Sequence, residues 1–432
     1  MSQRQWKRLD AVERIGRGGL TVREAAEVLG LSERQVRRLR RAVEERGARG
    51  VMHGNTGRAP AQRISEAVRE QVIDLRRTKY AGFSDQHFTE KLCEVEELRI
   101  SRASVQRLLR AAGIGPPRRR RPPKHRRRRD RKPQAGLMIL WDGSRHDWLE
   151  GRGPMLCLIG AIDDATGELL PGAHFVAQEC AAGYLRVLKA MAQEKGLPWS
   201  AYMDRHGSLK RNDEHWTLEE ELRGVQDPTQ VGRALQALEI EVIFALSPQA
   251  KGRVERLWGT LQDRLVSELR LAGASTVEAA NAVLEAFRPD HNRRFAIRAA
   301  DATPAWRAVR RGTDLARLCS FHYAATVLPD NTVRLAGMVI DIPPGPRKRS
   351  YAGARIALHQ FLDSSWRVYL GADVIATQAA TTGTELRTVK QRRRRPPSAA
   401  WNSRSAAPAP RPYAARLTPP PRDRMAEPPN AV

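Results

Sequence analysis

The chain has 432 residues, 41% of them hydrophobic, which is room for two to four globular domains. No apolar run approaches the roughly 20 residues that cross a membrane as a helix, and the first ten residues contain no hydrophobic signal segment. The four cysteines lie far apart without a CxxC pair, which argues against a disulfide framework or a cysteine-rich zinc site and favours a reducing compartment.

The charge is strongly positive and unevenly distributed. There are 75 Lys and Arg residues against 48 Asp and Glu, a net charge of +27. Residues 1–134 hold 35 basic and 16 acidic residues (net +19), residues 385–432 hold 11 and 3 (net +8), and the stretch between them balances at 29 of each. A neutral body between two arginine-rich ends favours nucleic acid as the partner, because the guanidinium fork suits phosphate oxygens. A membrane surface is the weaker alternative, since the sequence shows no basic amphipathic helix with a continuous apolar face.

A helix-turn-helix is predicted over residues 21–46, within a DNA-binding domain at 1–52. Capping boxes that begin at Thr21 and Ser32 start its two helices, and Gly30 ends the first one. The second helix presents an Arg/Gln face of the kind that enters a DNA groove. The side chains expected to contact DNA there are Arg34, Gln35, Arg37, Arg38 and Arg41.

A second helical domain is predicted at 61–115, either another helix-turn-helix or a bundle that supports the first. Its helices are expected at 66–77, 85–95 and 102–112, each preceded by a serine. The linker at 116–134 follows, with eleven basic residues and one acid in 116–132. Prolines and like-charge repulsion prevent a packed core there, and we interpret it as a cationic tether along DNA rather than a localisation signal. The tether residues expected to contact DNA are Arg118, Arg119, Arg120 and Arg121.

The remaining chain predicts a mixed architecture. Three apolar strands joined by turns, then strands alternating with helices, indicate an α/β ribonuclease-H-like core at 135–312. Short strands at 315–384 predict a small all-β barrel, and the Pro-, Ala- and Arg-rich segment 385–432 is predicted to be a disordered tail. The fold class is therefore multidomain, with an all-α front, an α/β catalytic core and an all-β end.

Three acids stand out in the predicted core. Asp142 and Asp204 each follow a predicted strand, and Glu255 lies in the first turns of a long helix that Ser247 and Pro248 are expected to start. Acids at strand ends of an open α/β sheet face the crevice where ligands bind. Three such carboxylates can hold two divalent ions for phosphoryl transfer, and an all-oxygen donor set favours Mg²⁺, with Mn²⁺ as its substitute.

Three sequence blocks resemble those of insertion-sequence DDE transposases with a retroviral-integrase-like core, most closely the ISNCY group. The blocks are WDGSRHDW, YMDRHG and SPQAKGRVERLWGTLQDRL, followed by DHNRRFA and DATP. The resemblance implies that Asp142, Asp204 and Glu255 are the catalytic and metal-binding residues. It also implies a DNA transposase that binds the terminal inverted repeats of a mobile element, cleaves a strand and joins it to target DNA as a homo-oligomer. Such a protein would be cytoplasmic and associated with the nucleoid.

The spacing differs from the family pattern in one place. Fifty residues separate Asp204 from Glu255, where integrase-like cores often have about thirty-five, and we place the excess in a surface insertion at 208–227. The zinc module that precedes retroviral integrase cores is also absent from the sequence, and the helix-turn-helix takes its place.

Other residues near the three acids have two interpretations each. Asp163 and Asp164 either cap a turn or lie near the metals, and His206 either touches substrate or makes a structural hydrogen bond. Lys251 and Arg253, at the start of the Glu255 helix, are predicted to contact DNA, because a helix N-terminus favours phosphate. Two alternative functions remain open at this point: a DNA-binding regulator with an inactive core, and a ribonuclease-H-like nuclease that cuts without joining.

Overall fold

The fold is described from a computed structural model. The structure describes residues 1–53, 55–56, 63–117, 129–211, 216–245, 252–381 and 386. The central part of the basic linker, the predicted start of the Glu255 helix at Ser247 and Pro248, and the tail beyond 386 lie outside these residues. The domain boundaries given above stay predictions.

The N-terminal region is a group of three helices: α1 (Gln3–Gly16), α2 (Val22–Leu29) and α3 (Glu33–Arg46). Both predicted capping boxes are confirmed, and Gly30 ends α2 in the left-handed conformation at φ 62°. The helices pack around a small core centred on Ala25, Ala26 and Val36. A 3-10 turn follows α3 and returns against it, where any side chain at Gly50 would overlap the backbone of Ala42.

The next three helices match the predicted ones closely. They are α4 (Glu66–Arg77), α5 (Asp85–Glu94) and α6 (Arg102–Ala111). The hydroxyl of the serine before each helix accepts a backbone N–H in its first turn, which is why the sequence placed these starts correctly. Their shared core includes Tyr80, Phe83 and Phe88, all fully buried.

A five-stranded mixed sheet forms the centre of the α/β core. Its strands are β1 (Met138–His146), β2 (Leu156–Asp163), β3 (His174–Val176), β4 (Ser200–Met203) and β5 (Glu241–Phe244). The order is β3-β2-β1-β4-β5; the first three are antiparallel, and β4 and β5 run parallel to β1. Three hairpin-connected strands followed by strands alternating with helices is the order that the sequence predicts.

Helices cover both faces of this sheet. On one face lie α7 (Ala181–Glu194) and α9 (Gln230–Ala237), and on the other lie α10 (Gly252–Leu271) and α11 (Val277–Phe295). Strand β1 alternates between them, with Trp141 in the first core and Leu140 in the second. The described part of the predicted surface insertion at 208–227 includes the short helix α8 (Leu218–Arg223).

Ion pairs fix α5 against α10 and α11. Glu90 pairs with Arg264 at 2.5 Å, Lys91 pairs with Glu268 at 2.7 Å, and Glu94 pairs with Arg294 at 2.5 Å. The second helical region therefore docks on the α/β core through charged side chains.

The C-terminal region is all-β, but the described strands do not close a barrel. After the short helix α12 (Leu315–Leu318), the strands are β6 (Phe321–Thr326), β7 (Thr332–Leu335), β8 (Met338–Asp341), β9 (Arg355–Gln360), β10 (Trp366–Leu370) and β11 (Asp373–Gln378). Four of them form an antiparallel sheet in the order β11-β10-β9-β6, and β7 and β8 form a separate hairpin. The hairpin breaks TVRLAGMVIDI at Ala336 and Gly337, which both have positive φ. No helix in the described part of the chain is long and apolar enough to cross a membrane.

Candidate active site and DNA-contacting surface

The predicted DNA-contacting side chains of α3 all lie at the surface. Arg37 is held by Glu33 at 2.7 Å, and the side-chain oxygen of Gln35 accepts the backbone N–H of Ser32 in the capping box. The other three form one stripe along the helix at a spacing of four and three residues, and no ion pair holds them within the described residues. These are Arg34, Arg38 and Arg41. The stripe is the part of α3 most available to phosphate or base edges.

Two groups of predicted DNA contacts cannot be located in the structure. Arg118, Arg119, Arg120 and Arg121 lie outside the described residues, as does Lys251. The C-terminal end of the linker is described from residue 129 onward, and there its side chains contact the core.

Asp142 lies inside β1 rather than at its end, so the predicted strand boundary was wrong. The antiparallel pairing with β2 continues to His146 opposite Leu156, which extends β1 four residues beyond Asp142. The parallel pairing with β4 ends earlier, at Leu140 opposite Tyr202. Asp142 therefore lies beyond the end of the parallel pairing, while remaining within the hairpin.

The strand register places Asp142 and Asp204 just beyond the same end of the β1–β4 pairing. Each lies two residues beyond the last parallel pair, Leu140 with Tyr202. Side chains two residues apart point to the same face of a strand, and neighbouring strands lie about 4.8 Å apart. Leu140 and Tyr202 both pack on the α10 side of the sheet. Asp142 therefore lies on the α10 side of the sheet, and Asp204 is the first residue after β4.

A tryptophan of α10 connects that helix to Asp142. Trp258 is buried, and its indole N–H donates to Oδ2 of Asp142 at 3.0 Å. Glu255 lies one helical turn before Trp258, with its side chain exposed. Val254 and Leu257, on either side of Glu255, pack against the sheet and set the rotation of the helix.

The three predicted acids do not converge on a common ion in this conformation. Within the described residues, no group of three or more His, Cys, Asp or Glu side chains is arranged to hold a metal. The donor chemistry nevertheless fits a hard divalent ion, because all three candidates are carboxylates. The exposed Glu255 side chain lies on α10, the helix whose Trp258 contacts Asp142.

His206 lies in the turn that follows β4 and Asp204. Its backbone N–H donates to Oδ1 of Asp204 at 3.0 Å, and its Nδ1 accepts the N–H of Ser208 at 3.3 Å. The same Nδ1 lies 3.4 Å from Oε1 of Glu179. These contacts define the turn after β4; whether the imidazole also reaches substrate stays a prediction.

Glu179 is an acid near this site that sequence reasoning missed. It precedes α7, accepts a hydrogen bond from the Tyr184 hydroxyl, and lies where any side chain on Gly143 would be. Burial and the Glu179 carboxylate raise the pKa of the Tyr184 phenol far above its usual value, with Asp142 and Asp204 adding to the effect. Burial, Glu179 and Asp142 also raise the pKa of Cys157 to about 12. The only local signal was a glycine directly after Asp142, which marks a close approach.

The two neighbouring acids at the end of β2 have different partners. Asp163 accepts hydrogen bonds from the Thr166 backbone at 2.8 Å and from Gly136 N–H at 2.8 Å, as expected of a turn cap. Asp164 is fully buried and is bound by Arg129 and by Arg253. The prediction that Arg253 contacts DNA stays a prediction; in the structure its guanidinium has an internal partner.

Comparison with known proteins gives a family match over the N-terminal region and curated relatives over most of the chain. Residues 8–70 match the winged helix-turn helix family. The described residues of that range are helical or irregular and contain no strand that would form a wing.

Solved structures give weak similarities. A simian T-cell lymphotropic virus intasome in complex with PP2A regulatory subunit B56 gamma aligns with 71% of this chain and 99% of its own, at 12% identity and a TM-score of 0.28. The HTLV-2 integrase catalytic core domain in complex with magnesium aligns with 35% of this chain and 85% of its own, at 14% identity and a TM-score of 0.24. At these TM-scores neither similarity supports an argument.

Curated relatives match over much longer stretches at higher identity. The chain is 38% identical to the "Putative transposase y4bF" of Sinorhizobium fredii over 297 residues, 69% of this chain and 63% of the relative, so it spans slightly less than two thirds of that protein. It is 30% identical to the "Transposase for insertion sequence IS1202" of Streptococcus pneumoniae over 67% of this chain and 68% of the relative. On this evidence the chain belongs to the family of insertion-sequence transposases.

Proposed function

We propose that this protein binds the ends of an insertion sequence and catalyses metal-dependent strand cleavage and strand transfer. Asp142, Asp204 and Glu255 are its catalytic carboxylates. The observation that supports the proposal is the strand register, because Asp142 and Asp204 each follow the last parallel pair of β1 and β4 by two residues. Family membership supports the same reaction class.

Each acid has a defined support in the chain. The Trp258 indole fixes one oxygen of Asp142, and the His206 backbone N–H fixes one oxygen of Asp204. Glu255 completes the set from the first turn of α10, the helix whose Trp258 bonds to Asp142. Bound Mg²⁺ or Mn²⁺, two ions per site in our proposal, would activate the attacking oxygen and stabilise the leaving one.

Sequence recognition is assigned to α3, and general affinity to the basic linker. The stripe of Arg34, Arg38 and Arg41 faces outward and suits a DNA groove. The exposed face of α6 carries Arg102 and Arg107, which offers a second surface for the same duplex. We further propose that the protein acts as a homo-oligomer, because two element ends must be held together for joining.

Isosteric amide substitutions test the catalytic assignment. Asp142→Asn, Asp204→Asn and Glu255→Gln should each abolish strand nicking and joining on an end-containing duplex with Mg²⁺, while a gel-shift on that duplex is unchanged. The amide keeps the shape of the side chain and removes the charge that binds the ions.

Asp163→Asn is the control, because Asp163 is another carboxyl group of the core and accepts hydrogen bonds from its own turn and from Gly136. Its activity should fall only as its stability falls, by about 0.5–2 kcal/mol for a lost cap. Full activity of Glu255→Gln, or no activity in a well-folded Asp163→Asn, would overturn the assignment. Nicking without joining would identify a nuclease, and end binding without either reaction would identify a regulator.

A further inference from the structure

The Asp164 carboxylate binds hydrogen-bond donors from two distant parts of the chain. It is fully buried just beyond β2. Oδ1 accepts from Arg129 at 2.6 Å and also from Arg253, while Oδ2 accepts the backbone N–H of Lys132 at 2.8 Å. Arg129 and Lys132 belong to the end of the basic linker, and Arg253 belongs to the first turn of α10. One carboxylate therefore joins the linker to the helix that carries Glu255.

Further contacts make the junction a closed network. The guanidinium of Arg253 also donates to the backbone carbonyl of Arg129, so linker and helix touch directly as well as through Asp164. Arg131 donates to the backbone carbonyls of Asp164 and Ala165, at 3.0 and 3.2 Å. Four consecutive linker residues, 129–132, thus lie across the end of β2 and the start of α10.

The buried charge of Asp164 favours a fixed geometry at the contact between the linker and α10. A buried carboxylate requires charged or hydrogen-bonding partners, and it loses them only at high cost. Arginine meets it with a planar fork that fixes direction as well as distance. The side chain of Arg253 is 17% exposed and that of Arg129 is 40% exposed, so the helix side of the junction is the more enclosed one. Removing the charge of Asp164 would leave both guanidinium groups without their common partner.

We propose that Asp164 is a positioning residue that holds the first turn of α10, and with it Glu255, to the end of the basic linker. Glu255 lies two residues beyond Arg253, so a shift of that turn moves the acid directly. When DNA binds the linker, the linker fixes the first turn of α10, which presents Glu255. The inference rests on the proposed function, since it takes Glu255 to be a catalytic carboxylate.

The test compares Asp164→Asn with Asp163→Asn in the full-length protein. Asp164→Asn should slow nicking of saturating end duplex at least tenfold and raise the Mg²⁺ concentration that gives half-maximal rate. Amide hydrogen exchange of residues 252–258 in the metal-free protein should become at least tenfold faster, while end binding in a gel-shift changes less than twofold. Asp163→Asn should leave exchange in 252–258 at the wild-type rate.

A second variant covers the possibility that Asp164→Asn does not fold. Arg129→Gln removes only the more exposed arm and keeps the Asp164–Arg253 pair. It should keep the exchange rate of 252–258 in free protein but lose the additional protection that end duplex gives to the wild-type protein there. Equal exchange at 252–258 in Asp164→Asn and Asp163→Asn, or unaltered DNA-induced protection in Arg129→Gln, would overturn the proposal. If the Asp142, Asp204 and Glu255 variants remained active, the proposed function itself would fail, which is a separate result.

Discussion

Replacing Trp258 by phenylalanine removes one hydrogen-bond donor from the proposed active site and leaves most of the apolar ring in place. In the wild-type protein the indole N–H donates to Oδ2 of Asp142 at 3.0 Å. A hydrogen bond to a charged group contributes about 1.5–3 kcal/mol. If that energy holds the carboxylate in its reactive orientation, its loss corresponds to a roughly 10- to 150-fold slower reaction. We expect this decrease in single-turnover nicking of an end duplex, with unchanged gel-shift affinity.

Trp148→Phe is the control for this experiment. Trp148 is buried in the same core as Trp258, and its indole donates to the backbone carbonyl of Ser144 at 3.1 Å instead of to an acid. Both variants lose an indole N–H and a similar volume, so thermal unfolding should show comparable destabilisation. If the two variants nicked DNA at the same rate, the Trp258–Asp142 contact would have no part in the reaction, and our account of how Asp142 is oriented would be wrong.

Three further outcomes follow from the structure and sequence. Arg38→Ala combined with Arg41→Ala should weaken end binding and reduce sequence preference in competition gel-shifts, because these side chains lie in the exposed stripe of α3; unchanged preference would move recognition elsewhere. Removing 387–432, which keeps the half-buried Leu386, should leave nicking intact, since this segment has no core-forming pattern, and lost solubility or folding would show that it docks on the body. Burial lowers the pKa of His291 from its ordinary 6.5 to about 4. Between these two pH values the unfolded chain binds more protons than the folded protein, so the free energy of unfolding should decrease as the pH falls from 6.5 to 4. Urea unfolding at several pH values, with His291→Gln showing a shallower slope, checks this; equal slopes would contradict it.

Locally coded features were predictable from the sequence. Each of the helices α2 to α6 begins after a Ser or Thr whose hydroxyl accepts a hydrogen bond from the first turn of that helix. A stretch of three or four residues is therefore enough to predict each helix start. The order of strands and helices in the core followed from apolar runs and turn residues in the same way. The resemblance to transposases supplied the three acids, and the assignment of these acids as catalytic stays a prediction.

Features that depend on distant partners could not be predicted. The end of β1 was misplaced because β2, a hairpin away, keeps pairing with it to His146. Glu179 has no local pattern, since its neighbours come from β1, α7 and the turn after β4. Asp164 meets Arg129 and Arg253, which are 35 and 89 residues away along the chain. At each of these positions the structure depends on a contact between two separate segments, so no short stretch of sequence contains both partners.

The docking of α5 on α10 and α11 has a consequence for working conditions. Three ion pairs, Glu90–Arg264, Lys91–Glu268 and Glu94–Arg294, hold the helical region on the core, and the side chain of Glu94 is 45% exposed. Salt screens exposed pairs more than enclosed ones, so rising ionic strength loosens this contact from the Glu94 edge inward. The same ions compete with lysine and arginine for DNA phosphates. If the protein binds DNA as proposed, rising salt therefore weakens both its DNA binding and the contact between its helical region and its core.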